Sequence, residues 1–239
     1  NELIENFRVN KILAFRGLKQ QAIDSAEAGD IVSLAGMSKA TVADTIADQS
    51  VEDPIPAQPI DPPTITVTFG INDSPLAGRD GKKVQSRVIR DRLLKECESN
   101  VAIKMVDTPG GEAFDVSGRG ELQMGVLIEN MRREGFELSI SRPRVIYKDV
   151  DGVKNEPIEE VTIDVDEEFS GAVIEKLSSR KGEMVDLKSS GSGKTRIIAL
   201  VPSRGLIGYH SEFMTDTRGT GILNRVFHSW SPHKGLIAG

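Results

Sequence analysis

The stretch that decides the fold is VSGRGELQMGVLIENMRREGFELSISRPRVIY, residues 116–147. A glycine-rich turn opens it, and a helix is predicted to follow because apolar residues recur at the i, i+3, i+4, i+7 spacing of one buried face. These residues are Met124, Leu127, Ile128 and Met131. Gly135 is the stop signal of a helix, and the alternating Phe136, Leu138 and Ile140 predict a half-buried strand after it.

Residues 64–148 are predicted to form one complete domain around this stretch. TITVTFG, VAIKMVD and AFDVSG are typical of strands, and a helix is predicted over about 82–98. The predicted inward face of that helix consists of Val84, Val88, Leu94 and Cys97. The order βαββαβ predicts an antiparallel sheet with two helices on one face.

The same order recurs over residues 157–235, after a short acidic connector at 149–156. The predicted elements are a strand, a helix with Phe169, Val173 and Leu177 one turn apart, a hairpin, one helix over 204–219 and a closing strand. Arg-Gly opens the second helix of both copies, at 119–120 and 204–205. The predicted fold class is therefore α+β, with two ferredoxin-like βαββαβ domains in tandem.

The N-terminal part has a different composition. Residues 1–49 contain β-rich runs, RVNKILAF and DIVSLAG, and residues 50–63 contain five prolines. The prolines are Pro54, Pro56, Pro59, Pro62 and Pro63. A run of this kind predicts a stiff, extended linker between two bodies.

Several segments resemble the ribosomal translation GTPases, the group that includes elongation factor G. GRGEL, MRREGFEL and SRPRVIYK, within residues 118–148, resemble the third domain of that group. RGLIGYHSEFMTDTRGTGILNRVF, residues 204–227, is very similar to the BipA/TypA family, and the resemblance covers the whole chain. One departure is Gln123, where the family commonly has histidine, so a role that needs an imidazole does not carry over.

The resemblance implies a domain for each segment. Residues 1–49 correspond to the C-terminal strands of the β-barrel second domain of elongation factor G, with edges open for pairing. Residues 64–148 and 157–235 correspond to its third and fifth domains, and 236–239 to the start of a truncated C-terminal domain. The family usually has glycine where this chain has Ala43. If that position needs a positive φ, alanine costs roughly 1 kcal/mol there.

The resemblance also implies partners and chemistry. GTP and magnesium are expected in an N-terminal GTPase domain outside this fragment, which itself has no expected cofactor, metal or catalytic residue. The expected partners are the ribosome, ribosomal RNA, and the GTPase and C-terminal domains of the same protein, without DNA or membrane. The implied role is in translation, ribosome assembly or stress adaptation. A stand-alone regulatory or small-molecule-binding module is the alternative, since tandem ferredoxin-like domains also occur in modules of that kind.

Composition narrows the class of protein. A net charge of −6 and a pI near 5.3 argue against a wholly basic nucleic-acid binder but allow a local patch. The single cysteine, Cys97, excludes an internal disulfide and is predicted to be a packed thiol. The chain shows no signal peptide and no apolar run of about 18 residues. It begins with Asn1 and ends at Gly239, so we interpret it as an excised fragment of a cytoplasmic protein.

The candidate binding residues are basic. A patch that contacts RNA phosphates is predicted from residues in the second copy, with two lower-ranked loop arginines in the first. The set is Arg180, Lys181, Lys188, Lys194, Arg196, Arg204, Arg119 and Arg79. An acidic stretch precedes it at 149–168, so the charges are predicted to be segregated. A solvated surface without a ligand is the competing interpretation.

Other motifs predict no chemistry. GSGKT at 191–195 lacks the first glycine of a phosphate-binding loop, because Lys188 holds that place, and a strand is predicted after it where such a loop needs a helix. Acidic residues at 164–168 are predicted to face solvent along a strand. The three histidines lack metal-ligand spacing. Trp230 either packs or contacts the C-terminal domain.

Overall fold

A computed structural model describes residues 3–57, 60–189 and 191–237. The chain divides into two compact units, residues 1–60 and 61–239. Pro59, one of the predicted linker prolines, lies outside the described residues, as does Ser190. The finer domain boundaries given above stay predictions.

The first unit contains one small antiparallel sheet. Its strands are β1 (Lys11–Arg16), β2 (Lys19–Ile23) and β3 (Val32–Ala35), in the order β2-β1-β3. Of its described residues, Ala14 alone is buried, while Phe15, Leu18 and Ile31 are exposed. The three strands therefore bury almost no apolar core among themselves.

A turn at residues 41–44 fulfils the condition stated for Ala43. The φ of Ala43 is 76°, in the left-handed region. The carboxylate of Asp44 accepts a hydrogen bond from the backbone N–H of Thr41 at 2.7 Å and closes the turn. Because a Cβ is disfavoured at this φ, alanine costs about 1 kcal/mol relative to glycine here.

The first sheet of the second unit includes strands from residues 116–147. Its elements are β4 (Ile65–Ile71), α1 (Ser86–Ser99), β5 (Lys104–Asp107), β6 (Ala113–Gly118), α2 (Glu121–Arg133), β7 (Leu138–Ile140) and β8 (Arg144–Val145). The order is β5-β6-β4-β7, β8 also pairs with β4, and every pairing is antiparallel. Both helices cover one face, where Phe69 and Phe114 are fully buried.

The two helices fit the sequence patterns to different degrees. In α2, Met124, Leu127 and Met131 are buried and Ile128 is half-buried, as predicted. In α1 the predicted face is wrong, because Val88 and Leu94 are each 37% exposed. The buried residues are Ile89 and Leu93, with Cys97 half-buried against the same core. Val84, which set the predicted phase, precedes the helix, where the helical period does not apply. Burial raises the pKa of the Cys97 thiol.

The second sheet of this unit has a similar order. Its elements are β9 (Lys148–Val150), β10 (Val153–Asp166), α3 (Glu167–Ser179), β11 (Glu183–Ser189), β12 (Lys194–Pro202), α4 (Ser203–Leu206), α5 (Tyr209–Asp216) and β13 (Ile222–Pro232). The order is β11-β12-β10-β13, and β9 extends it by pairing with β10. A second apolar core includes Val161, Leu177 and Phe213.

One local prediction in this sheet is corrected, and the segment predicted as a connector has a defined structure. The segment 149–156 folds as the β9–β10 hairpin, in which Asp151 and Gly152 both have positive φ, as a tight two-residue turn requires. The single helix predicted over 204–219 is two helices, because Gly208 adopts a φ of 74° between α4 and α5. An α-helix cannot continue through that conformation. Both sheets nevertheless confirm an α+β fold with antiparallel strands.

No helix within the described residues is long and apolar enough to cross a lipid bilayer.

Candidate nucleic-acid interface

The β11–β12 hairpin carries three of the predicted basic residues, Lys188, Lys194 and Arg196. Lys188 and Arg196 are partners in the strand register and therefore neighbours. The turn contains Gly191 and Gly193, both with positive φ, and β12 begins at Lys194. Because a strand follows, no helix N-terminus is present to hold a phosphate, and the prediction that GSGKT is a hairpin tip is confirmed.

These cations lie opposite carboxylates, so the predicted charge segregation is wrong. The register of β10 and β12 places Asp164 across from Arg196 and Asp166 across from Lys194. Arg196 donates two hydrogen bonds to Asp164, at 2.7 and 2.8 Å, and Lys194 Nζ lies 3.0 Å from Asp166 Oδ1. Hydrogen bonds from Arg196 and Lys194 hold the pKa values of Asp164 and Asp166 below their usual range.

The hairpin cations remain available to a ligand. The side chains of Lys194 and Arg196 are each 55% exposed, and Lys188, which pairs with Asp186 at 2.8 Å, is also exposed. Exposed ion pairs contribute about 0–1 kcal/mol, so a phosphate can replace the carboxylate at little cost. Lys181, just after α3, is exposed and forms no ion pair within the described part of the chain. Lys188, Lys194 and Arg196 on the hairpin and Lys181 just before it are together named the hairpin cations below.

Arg180 is committed to packing. Its guanidinium donates to the carbonyl of Gly205 at 2.9 Å and to the carboxylate of Glu212. It also lies over the ring of Tyr209, 4.9 Å from the centroid. Lys176 and Arg180 together lower the pKa of Glu212. These contacts connect the end of α3 to α4 and α5.

Arg204 is held by contacts within the protein even more strongly than Arg180. It forms a two-armed ion pair with Glu156 and donates to the carbonyl of Gly235. The side chain of Glu156 is 1% exposed and that of Arg204 is 15% exposed. The same carboxylate accepts the backbone N–H of Lys234 at 2.7 Å. Burial raises the pKa of Glu156, but the hydrogen bonds from Arg204 and Lys234 outweigh burial and leave it lowered.

The two candidate arginines beside the β4–β8 sheet, Arg119 and Arg79, lie in loops. Arg119 is exposed, and its backbone N–H donates to the side-chain oxygen of Gln123 at 2.8 Å. Gln123 therefore holds the glycine-rich turn. Arg79 is exposed between β4 and α1, in a loop held by Glu137, whose carboxylate accepts the N–H groups of Gly78 and Gly81 at 2.8 and 3.2 Å.

Two features escaped the sequence analysis because they join distant residues. The first is a contact between the start of α2 and the break between α4 and α5, in which both carboxylate oxygens of Glu121 lie 3.2 Å from the backbone nitrogen of Gly208 and accept its N–H. The second is a group of lysines over aromatic rings near Trp230. Among the described residues no three His, Cys, Asp or Glu side chains are grouped as a metal site would require.

Comparison with known proteins decides the family. The family described as "Elongation factor G C-terminus" matches residues 153–238. The Bacillus subtilis protein named "Large ribosomal subunit assembly factor BipA" is 50% identical over 236 residues, 98% of this chain and 39% of that relative. Relatives with the same name from Haemophilus influenzae and Escherichia coli K12 are each 49% identical over 95% and 93% of the chain and 37% of their own length.

This chain belongs to the BipA/TypA family. It spans about two fifths of the length of the curated relatives that it matches. The RGLIG segment, residues 204–208, has a structural role: Arg204 neutralises buried Glu156, and Gly208 adopts the left-handed turn that receives Glu121. Gly205 is needed for close packing, since a Cβ there would lie 2.8 Å from the carbonyl oxygen of Arg180.

Proposed function

We propose that this chain is the ribosome-docking part of a BipA/TypA translation GTPase that acts in assembly of the large ribosomal subunit. In this proposal, the second unit consists of two ferredoxin-like domains in tandem, and the first unit supplies the last strands of a β-barrel domain. The hairpin cations contact ribosomal RNA. A separate domain of the full-length protein binds GTP and magnesium and hydrolyses GTP. The nucleotide state of that domain is coupled to docking on the ribosome, which takes place in the cytoplasm.

The observation that carries the proposal is the 50% identity over 98% of the chain with a protein named for assembly of the large ribosomal subunit. The arrangement of the cations supports it. Arg180 and Arg204 hold the domain together, whereas the hairpin cations are exposed and weakly held. Because phosphate binding releases the counterions of RNA, a few such cations suffice for salt-dependent docking.

The first prediction concerns the tip of the hairpin. Reversing the charge at Lys194 and Arg196 together is expected to weaken association with large ribosomal subunits about tenfold or more, and to reduce the slope of log K against log salt by about two. The neutral variant K194Q/R196Q should weaken binding less and reduce the slope similarly. Sedimentation of the full-length factor with purified large subunits measures both quantities.

A matched control exists on α2. Arg132 and Arg133 are exposed and both pair with Glu129, so reversing their charges changes the net charge by the same amount at another place. That control should keep most of the affinity. If the hairpin and α2 reversals weaken binding equally, the hairpin has no specific role and the assignment of its cations is wrong.

A further inference from the structure

Aromatic and lysine side chains gather at one end of the second sheet, where β9, β10 and β13 lie side by side. Asn155 of β10 is paired with Lys148 of β9 on one side and with Pro232 of β13 on the other. This register brings together residues that are distant in sequence. The aromatic–lysine cluster comprises Tyr147, Lys148, Lys154, Phe227, Trp230 and His233.

The lysines of the cluster lie on its rings. Lys148 Nζ is 4.1 Å from the centroid of the Trp230 ring, and Lys154 Nζ is 3.7 Å from that of Tyr147. The other rings support these two: His233 lies 5.8 Å from Tyr147, and Phe227 lies 5.7 Å from Trp230, centroid to centroid. The cluster is therefore two ring pairs, each with an ammonium group on it.

The cluster is open to solvent. Tyr147 is 40% exposed, Trp230 is half-buried, and both lysines are exposed. Neither lysine forms an ion pair with a carboxylate in the described ranges, in contrast to Lys188 and Lys194 of the hairpin. The chain has one tryptophan and two tyrosines, and the second tyrosine, Tyr209, is buried. The cluster thus holds the tryptophan and the exposed tyrosine beside two lysines that form no ion pair within the described residues, although Asp149 is opposite Lys154 in the strand register.

The interaction energies favour a nucleobase stacked on the ring over the lysine–ring contact seen in the structure. An exposed cation–π contact is worth about 0.5–1 kcal/mol, whereas stacking of a nucleobase on an aromatic side chain is worth about 1–3 kcal/mol per base. A base can therefore displace an ammonium group from its ring. The displaced lysine then reaches the phosphate beside that base. Bases in a duplex are stacked on each other, so only unpaired nucleotides offer a free face.

We propose that the aromatic–lysine cluster binds unpaired nucleotides of RNA, with bases stacked on Tyr147 and Trp230 and phosphates contacted by Lys148 and Lys154. This inference rests on the proposed function, and it adds a site for single-stranded RNA that is separate from the hairpin cations. A protein segment that covers the rings is the competing occupant, and absence of quenching by an oligoribonucleotide would favour it.

Because Trp230 is the only tryptophan, the intrinsic fluorescence of the whole chain reports directly on the cluster. We expect a single-stranded oligoribonucleotide of about ten nucleotides, within the usual site size, to quench this fluorescence saturably at low salt. The duplex of the same sequence should quench it much less. The variant Tyr147→Ala should weaken the single-strand affinity roughly 5- to 150-fold, the range that loss of one stacked base gives. Tyr147→Phe keeps the ring and should retain most of the affinity.

The lysines are tested by K148Q/K154Q, which should reduce the salt slope of quenching by about two. The control K95Q/K104Q removes two exposed lysines, Lys95 on α1 and Lys104 on β5, and should leave quenching unchanged. Absence of quenching, equal quenching by the duplex, or full affinity in Tyr147→Ala would each overturn the inference. Sedimentation of the same chain with large subunits separates the two claims: sedimentation without quenching rejects only the stacking site, and loss of both rejects the proposed function as well.

Discussion

Replacing Arg204 with alanine is expected to destabilise the second unit by about 3–5 kcal/mol at neutral pH. The substitution leaves the carboxylate of Glu156, 1% exposed, without its ion-pair partner inside the protein. Among the described residues, only the backbone N–H of Lys234 would still donate to it. The loss should appear as a lower midpoint in urea unfolding, followed by circular dichroism.

The effect should depend on pH with a definite sign. In the natural chain the pKa of Glu156 lies below its ordinary value of 4.5, so the pair contributes stability above that pH and loses it as pH falls through the lowered pKa. Without Arg204, burial raises this pKa, so the variant gains stability as pH falls and the carboxylate is protonated. The difference between the two proteins should therefore shrink on acidification.

Two further variants complete this test. Arg132→Ala breaks an exposed pair with Glu129 and should lower the urea midpoint far less than Arg204→Ala does. Replacing Glu156 and Arg204 together with Leu and Met should recover most of the loss, because no charge then remains buried. A loss in Arg204→Ala no larger than in Arg132→Ala would show that Arg204 is not structural, and would return it to the candidate RNA contacts.

Replacing Phe213 with alanine is expected to cost about 3–5 kcal/mol, the range for loss of a buried aromatic ring. Phe213 is fully buried on α5 and packs against Tyr209, with ring centroids 6.0 Å apart. Its ring also explains Gly221: a Cβ there would lie 2.5 Å from the end of the ring. The surroundings cannot collapse easily around the cavity, since Tyr209 belongs to the same packed core.

The control for Phe213 is Leu122→Ala on α2. Leu122 is 83% exposed, so its removal should change the free energy of unfolding by about 0.5 kcal/mol or less. Urea unfolding of both variants measures the contrast. Equal stability of Phe213→Ala and Leu122→Ala would mean that α5 does not pack on the sheet as described.

The sequence predicted the fold where one local rule applied. The apolar period of α2 identified its buried face, and the alternation of Phe136, Leu138 and Ile140 marked β7. It failed where two rules competed. In α1 a valine before the helix set the wrong phase of the predicted buried face. The helix predicted after Arg204 is broken because Gly208 adopts a left-handed conformation, and the spacing of the apolar residues did not reveal that break.

The candidate site was less predictable, because strand register determines it. Nothing local in the sequence places Asp164 opposite Arg196, or Glu156 beside Arg204, 48 residues away. Composition grouped all of these arginines and lysines into one basic patch. The structure instead assigns Arg180 and Arg204 to packing and leaves Lys181, Lys188, Lys194 and Arg196 exposed. The same long-range pairing hid the aromatic–lysine cluster, whose rings come from residues 147 and 230.

The most direct measurement is sedimentation of this chain with purified large ribosomal subunits across a salt series, beside the full-length factor. If the chain carries its own docking surface, it should bind without nucleotide, and log K should fall against log salt with a slope of about −3 or steeper, as four or more phosphate contacts require. Absence of binding, while the full-length factor binds only with GTP, would place the affinity in other domains and contradict the account.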